Sequence, residues 1–120
     1  MAAPNIVNVT TITGKSNVVS LTDTNATAVV SNAASSGKVF KINSLYVANI
    51  DGVSAQEVTV DLFRSSVAYP IGSTLSVPAD ATLVVIDKNS NIYLEEGDAL
   101  RLTAGADSDL MATVSYEEIS

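Results

Sequence analysis

Asp87-Lys-Asn-Ser-Asn91 and the later Asp98 come closest in this sequence to the spacing of a metal site. Side-chain oxygens recur at alternate positions, and Asp98 falls at the twelfth, as in a calcium-binding loop. However, Ile92 replaces the glycine that permits the sharp bend of such a loop, and strand-like runs replace the flanking helices. An Asx-rich hairpin turn accounts for the same residues, so the sequence predicts a turn that binds no metal.

Glu95-Glu-Gly-Asp98 is a second acidic stretch and could supply paired carboxylates for general acid–base catalysis. The sequence places no aromatic platform and no basic residue beside it. We therefore predict a solvated turn, and we interpret Asp107 and Asp109 in the same way because charged residues at turns are mostly exposed.

Nucleophilic catalysis has little support, because histidine and cysteine are both absent. Their absence removes the commonest general base, the commonest metal ligand and all thiolate chemistry. There is no Gly-x-Ser-x-Gly elbow. Lys15 and Ser16 are neighbours in the sequence, but nothing predicts that the lysine amine is placed to activate the serine hydroxyl. The sequence predicts a protein that is not an enzyme and has no catalytic residue, no cofactor and no metal.

The net charge of −7, with six basic residues among 120, argues against binding to nucleic acid, which needs clustered Lys and Arg. Aromatic residues make up 5% of the chain, too few for a stacking platform. No apolar run approaches the ~20 residues of a membrane span, and no basic stretch precedes an apolar one at the start. We expect no membrane partner and no export signal.

Apolar residues are abundant for so small a domain, at 47% of the chain against 16% charged. A chain of this size cannot bury all of that surface internally, which favours contacts with other subunits. The candidate interface residues are apolar on both faces of a terminal run: Ile6, Val7, Val9 and Ile12. The alternative is an ordinary strand covered by the rest of the domain.

Two long runs, 38–50 and 57–64, are predicted to form the central antiparallel strand pair. The second run alternates with a period of two, as a half-buried strand does. In the first, apolar side chains occupy even and then odd positions: Phe40, Ile42, Leu45, Val47. A bulge near Asn43-Ser44 would return the later residues to the buried face.

Short strands separated by Gly, Asn, Asp and Ser make up the rest of the predicted domain. They are predicted at residues 6–12, 18–21, 26–30, 67–69, 73–77, 82–86, 92–94, 100–102 and 110–116, with turns that include 14–17 and a stop at Pro70. The apolar run 82–86 is predicted to be buried on both faces. This pattern predicts an all-β, single-domain antiparallel β-sandwich or jelly roll of eight or nine short strands over residues 6–120, preceded by a flexible arm at 1–5.

Three segments carry a resemblance to a known family. Val77-Pro-Ala-Asp-Ala-Thr-Leu-Val-Val-Ile86, Ile92-Tyr-Leu-Glu-Glu-Gly-Asp-Ala-Leu-Arg-Leu-Thr103 and Val114-Ser-Tyr-Glu-Glu-Ile-Ser120 resemble small virion structural proteins of tailed bacteriophages, especially contractile-tailed phages of marine cyanobacteria. The resemblance covers nearly the whole chain. It implies a particle component and supplies no catalytic residues.

The expected role is a capsid decoration or cement protein on the outer surface of the head, made in the host cytoplasm. An acidic protein that faced the packaged DNA would be repelled by its phosphates, whereas one on the outer surface, facing solvent, would not. The expected partners are further copies of the chain, as a homotrimer, and the major capsid protein or another virion protein. The first alternative is a tail, neck or baseplate component.

A carbohydrate-binding module is the second alternative, and it requires exposed aromatic residues or a calcium site. The available aromatics are Tyr46, Tyr69, Tyr93 and Tyr116. Of these, Tyr46 and Tyr116 are predicted to be buried, which disfavours a sugar-binding platform.

Overall fold

The computed structural model describes residues 4–105 and 109–120, and within these ranges the chain forms nine β-strands and no helix. The all-β fold class predicted from the short alternating runs is confirmed. The strands are β1 (Ile12–Leu21), β2 (Thr27–Ser31), β3 (Val39–Asn49), β4 (Gln56–Arg64), β5 (Val67–Val77), β6 (Thr82–Ile86), β7 (Ile92–Leu94), β8 (Ala99–Ala104) and β9 (Leu110–Ile119).

The strands form two antiparallel sheets that pack face to face as a sandwich. The five-stranded sheet has the order β1-β9-β3-β6, with β7 also paired to β3, and the four-stranded sheet has the order β2-β8-β4-β5. Aliphatic side chains from both inner faces fill the space between them, including Ile42, Leu45, Val60, Leu100 and Leu102, which are fully buried. This core is the main source of stability, since burial of each such side chain contributes about 1.5–3 kcal/mol.

A β-bulge in β3 resolves the change of parity along that strand. Against β9, Ile42 pairs with Tyr116 and Ser44 with Ser115, so Asn43 is the extra residue. Because of this one-residue shift, Leu45 continues the buried face that Ile42 begins. The predicted bulge near Asn43-Ser44 is confirmed.

The predicted pairing of β3 with β4 is wrong, because the two strands lie in different sheets. β3 pairs with β9, β6 and β7, whereas β4 pairs with β5 and β8. The connection between them is too long for a tight hairpin, and it crosses from one sheet to the other. Asn49 fixes this crossing: its buried side-chain amide donates to the carbonyl oxygens of Ser54 and Val77, both at 3.0 Å.

The first strand also differs from its prediction. We expected strands at 6–12 and 18–21 with a turn at 14–17; instead β1 is continuous through that turn, and residues 6–11 lie outside any strand. The physical reason is its partner: β9 pairs with all ten residues of β1, from Ile12 opposite Ile119 to Leu21 opposite Leu110. A complete ladder outweighs the local turn preference of glycine, serine and asparagine.

Two edge strands account for the remaining corrections. The pieces predicted at 67–69 and 73–77 are one strand, β5, with Pro70 inside it. A proline is tolerated there because β5 lies at the edge of its sheet and has a neighbour on one side only. β6 was predicted to be buried on both faces, which is wrong: it is also an edge strand, and Val84 is exposed.

Candidate interaction site

The four predicted interface residues lie at or before the start of β1, and they do not form the expected strand. Residues 5–11 are here called the N-terminal segment, and its last two residues are hydrogen-bonded to the end of the chain. The amides of Thr10 and Thr11 donate to the carbonyl oxygen of Ser120 at 2.8 and 2.9 Å, and the Ser120 amide donates back to Thr11 at 2.9 Å. These bonds place the segment beside the end of β9.

Apolar side chains of the N-terminal segment face solvent. Val7 is 91% exposed, Ile6 and the adjoining Ile12 are also exposed, and Val9 is half-buried. The sequence pattern shows that residues 6–12 are apolar on both faces, but it does not show that residues 6–11 lie outside the strands of the sandwich. The predicted arm at 1–5 falls partly outside the described residues, which begin at Pro4.

The turn between β7 and β8 is an ion-pair site, which corrects the prediction of a solvated turn without a basic neighbour. Asp98 is 3% exposed and binds Arg64, whose Nε donates to Oδ1 at 2.8 Å and whose Nη2 donates to Oδ2 at 2.5 Å. The exposed Glu95 carboxylate also contacts Arg64 Nη2, at 2.8 Å. Glu96 accepts a hydrogen bond from the Gly37 amide at 3.0 Å.

Burial and hydrogen bonding act in opposite directions on the Asp98 carboxyl. Burial by itself raises its pKa, but hydrogen bonds from Arg64 and from the Glu95 amide lower it, and the net pKa lies below the ordinary value. The same hydrogen bond raises the pKa of Arg64 further. The pair is therefore fixed in its charged form and is structural, because neither group is poised to exchange a proton near neutral pH.

The two ends of the calcium-like pattern take part in separate interactions. Asp87 closes an Asx turn, in which its Oδ1 accepts from the Asn89 amide at 2.9 Å and from Ser90 Oγ at 3.1 Å. Asp98 is engaged with Arg64 instead. In the described part of the chain, no cluster of three or more acidic side chains could hold a metal ion.

Other acidic candidates are placed as follows. Asp107 lies outside the described residues, and Asp109 is half-buried, with its carbonyl oxygen accepting from the Ile50 amide at 2.8 Å. Asp109 takes no part in the Arg64 ion pair, which is formed with Asp98 and Glu95.

Glu118 is the centre of a second ion-pair cluster, on β9. Its two carboxylate oxygens accept from Lys38 Nζ at 2.5 Å and from Lys15 Nζ at 2.9 Å. These hydrogen bonds, first from Lys38 and then from Lys15, lower the pKa of Glu118. Lys15 is therefore engaged across the strand pair and does not act on its neighbour Ser16.

An open groove of about 720 Å³ lies on the outer face of the five-stranded sheet. Its lining includes Tyr46, Lys41, Lys88 and Glu117. Tyr46 is 40% exposed, so its predicted burial is wrong. After the bulge, the neighbouring Leu45 and Val47 face the core, and Tyr46 between them therefore points to the outer face. The prediction for Tyr116 is correct, since it is buried against Phe40 with ring centroids 5.3 Å apart.

The exposed tyrosines are divided between the two sheets. Tyr69 lies on β5 in the four-stranded sheet, whereas Tyr46 and Tyr93 lie in the five-stranded sheet, Tyr46 in the groove and Tyr93 opposite Lys41, which also lines it. Among the described residues, the structure contains no helix long and apolar enough to cross a membrane.

No protein-family model matches the chain, and no curated protein matches it. Among solved structures, a chain of the acidic stable capsid of Helicobacter pylori bacteriophage KHP30 has a similar fold, with a TM-score of 0.55 and 5% identity over 94% of this chain and 90% of that one. The comparison supports the β-sandwich fold.

Two further similarities have lower scores. Bacillus endospore appendages, described as disulfide-linked pili, give a TM-score of 0.49 at 15% identity over 92% of this chain and 88% of that chain. A virus-like particle of the extra small virus of the prawn Macrobrachium rosenbergii gives 0.48 at 10% identity, over 98% and 86%.

Proposed function

We propose that this protein is a non-enzymatic virion structural protein that decorates and cements a phage head through protein–protein contacts. The observation that carries the proposal is the fold similarity to a chain of a bacteriophage capsid, which spans 94% of the sequence. The sequence resemblance to small virion proteins of tailed phages is an independent argument for the same class. The ionic residues with the best-defined geometry, Arg64 and Asp98, are engaged with each other, which suits a structural role.

The proposed contact with the shell is the N-terminal segment with Ile12. Val7 and Ile6 are exposed, and the hydrogen bonds from Thr10 and Thr11 to Ser120 place the segment that carries them beside the end of β9. Burial of such a side chain against a neighbouring subunit would contribute about 1.5–3 kcal/mol. Binding to the assembled shell, but not to dissociated subunits, would stabilise the particle by mass action.

Charge supports a position on the outer surface of the head, and we propose that the protein reaches it after synthesis in the host cytoplasm. The net charge is −7, and four of the six basic residues already bind acidic side chains within the chain: Lys15, Lys38, Arg64 and Arg101. Little positive charge is left to neutralise phosphates, so a surface facing packaged DNA would be unfavourable.

The test is binding of the purified protein to emptied heads of the phage that carries it. We expect co-sedimentation and a higher rupture temperature of the heads when the protein is present. A Val7→Glu variant should bind at least about tenfold more weakly, because a carboxylate would be desolvated at the contact. The matched control is Val53→Glu, at an exposed valine in the β3–β4 connection.

Two outcomes would contradict the proposal. Binding to isolated tails or baseplates, but not to heads, would assign the protein to the tail. Binding to a polysaccharide that Tyr46→Ala abolishes, together with no binding to heads, would identify a carbohydrate-binding module. Electron cryomicroscopy of the intact particle gives an independent check of position.

A further inference from the structure

One side of the sandwich is formed by two strands that contain no charged residue. They are β5 and β6, edge strands of the two sheets that contact each other, and they are here called the β5/β6 side. Between Ser65 and Ile86, the one charged residue is Asp80, in the turn that joins the two strands. All other Asp, Glu, Lys and Arg residues of the chain lie outside this stretch.

Large apolar side chains are exposed on the same side. They are Val67, Tyr69 and Ile71 on β5, whereas the exposed Val84 of β6 lies in the groove with Lys41, Asp87 and Lys88. Edge strands of proteins that remain monomeric are commonly protected by charged side chains, especially lysine. Neither β5 nor β6 carries a charged side chain, so the exposed apolar side chains of this side form a surface that a partner can cover.

The backbone of β5 restricts how a partner can cover it. Pro70 has no amide hydrogen, and the register against β4 shifts twice, on either side of Val60. A row of donors interrupted in this way is a poor template for adding another strand. The contact is therefore made through side chains, which favours a closed assembly rather than open-ended strand addition.

We propose that the β5/β6 side packs against a second copy of this chain. Two copies that each carry a charge of −7 repel one another, and this side lets them approach without opposing their acidic side chains. A basic partner would instead be attracted to the acidic turns elsewhere. The inference does not depend on the larger lattice that the protein joins.

The available area is sufficient for such a contact. β5 has 11 residues, which at about 3.3 Å each give a length of roughly 36 Å. With the smallest dimension of the molecule, 20 Å, this gives about 700 Å², close to the ~800 Å² that each partner contributes to a standard interface.

The experiment measures the mass of the full chain by light scattering and sedimentation across a range of concentrations, without any capsid present. We expect a mass at least twice the 12.4 kDa of one chain. Val67→Glu and Ile71→Glu should each weaken self-association by about 10–100-fold, because a carboxylate would be buried against its symmetry mate or an apolar neighbour. Circular dichroism and thermal melting establish that the variants are folded.

Val18→Glu is the matched control, because it adds the same charge at an exposed valine on β1, at the opposite edge of the five-stranded sheet from β6. It should associate like the unaltered protein. The proposal is overturned if the unaltered chain is monomeric up to ~1 mM, or if both β5 variants associate normally. It is also overturned if Val67→Glu impairs only binding to heads, since the partner would then be another virion protein.

Discussion

Arg64 and Asp98 lie 34 residues apart in the sequence and form a two-pronged ion pair that joins the end of β4 to the turn between β7 and β8. The carboxylate is buried, whereas the guanidinium is partly open to solvent, at 40% side-chain exposure. The pair therefore connects the end of the four-stranded sheet to the turn entering β8 and leaves one partner in contact with water.

Arg64→Ala should lower the free energy of unfolding by about 1–3 kcal/mol, because it leaves the buried Asp98 carboxylate with only the Glu95 amide as a donor. Partial exposure of Arg64 keeps the value below that of a fully buried pair. Urea denaturation gives the measurement. Glu95→Gln is the control: this carboxylate contacts Arg64 but is exposed, so the change should cost less than ~1 kcal/mol. Equal costs would contradict this account.

Stability should decrease in acid. The pKa values of Asp98 and Glu118 are lower in the folded protein than their ordinary values of 3.8 and 4.5. Their stabilising contribution is therefore complete above the ordinary values and is lost as the pH falls through the lower folded values. We expect the free energy of unfolding to fall between about pH 5 and pH 2. Glu118→Gln should reduce the slope; an unchanged slope would assign the acid sensitivity to other groups.

Deletion of Asn43 should leave the protein folded, with a regular β3. Without the bulged residue, the pairs Ile42–Tyr116 and Ser44–Ser115 become consecutive, so Leu45 and Val47 stay on the buried face. Asn43→Ala keeps the bulge and should cost no more than about 1 kcal/mol. Circular dichroism and denaturation curves of the two proteins test this, and a deletion variant that fails to fold would show that the bulge itself is required.

Ile42→Ala should lower the free energy of unfolding by about 2–5 kcal/mol, because it leaves a cavity at a fully buried position between the sheets. The same change at Ile50, which is exposed just after β3, should cost less than about 0.5 kcal/mol. Thermal or urea unfolding distinguishes the two. Similar losses would mean that Ile50 is covered in solution, for example by a second copy.

The sequence predicted much of what depends on side-chain alternation within one strand, although not the exposure of Tyr46 and Val84. Parity placed Ile42 and Leu45 on the same buried face and located the bulge between them. Alternation also identified β8 and β9 from Leu100, Leu102 and Val114. These features are local, because each side chain's face follows from its neighbours two residues away.

Features that depend on distant partners were missed. β1 continues through Gly14 because β9 supplies a full ladder, and β4 joins the sheet opposite β3 because the crossing connection is held by Asn49. At the candidate site, Arg64 was overlooked because it lies far along the chain from Asp98. The sequence shows an arginine at the end of a strand, Arg64, and an aspartate that follows a glycine turn, Asp98. Neither feature indicates which residue it pairs with.

Because β9 lies between β1 and β3, these two early strands have no shared partner until the ribosome has passed residue 119. Local contacts formed during synthesis cannot complete the five-stranded sheet before β9 is made, and pairing between strands so far apart in sequence gives slow folding. We therefore expect the strands made before β9 to expose core residues on the ribosome and to depend on chaperones until β9 has emerged.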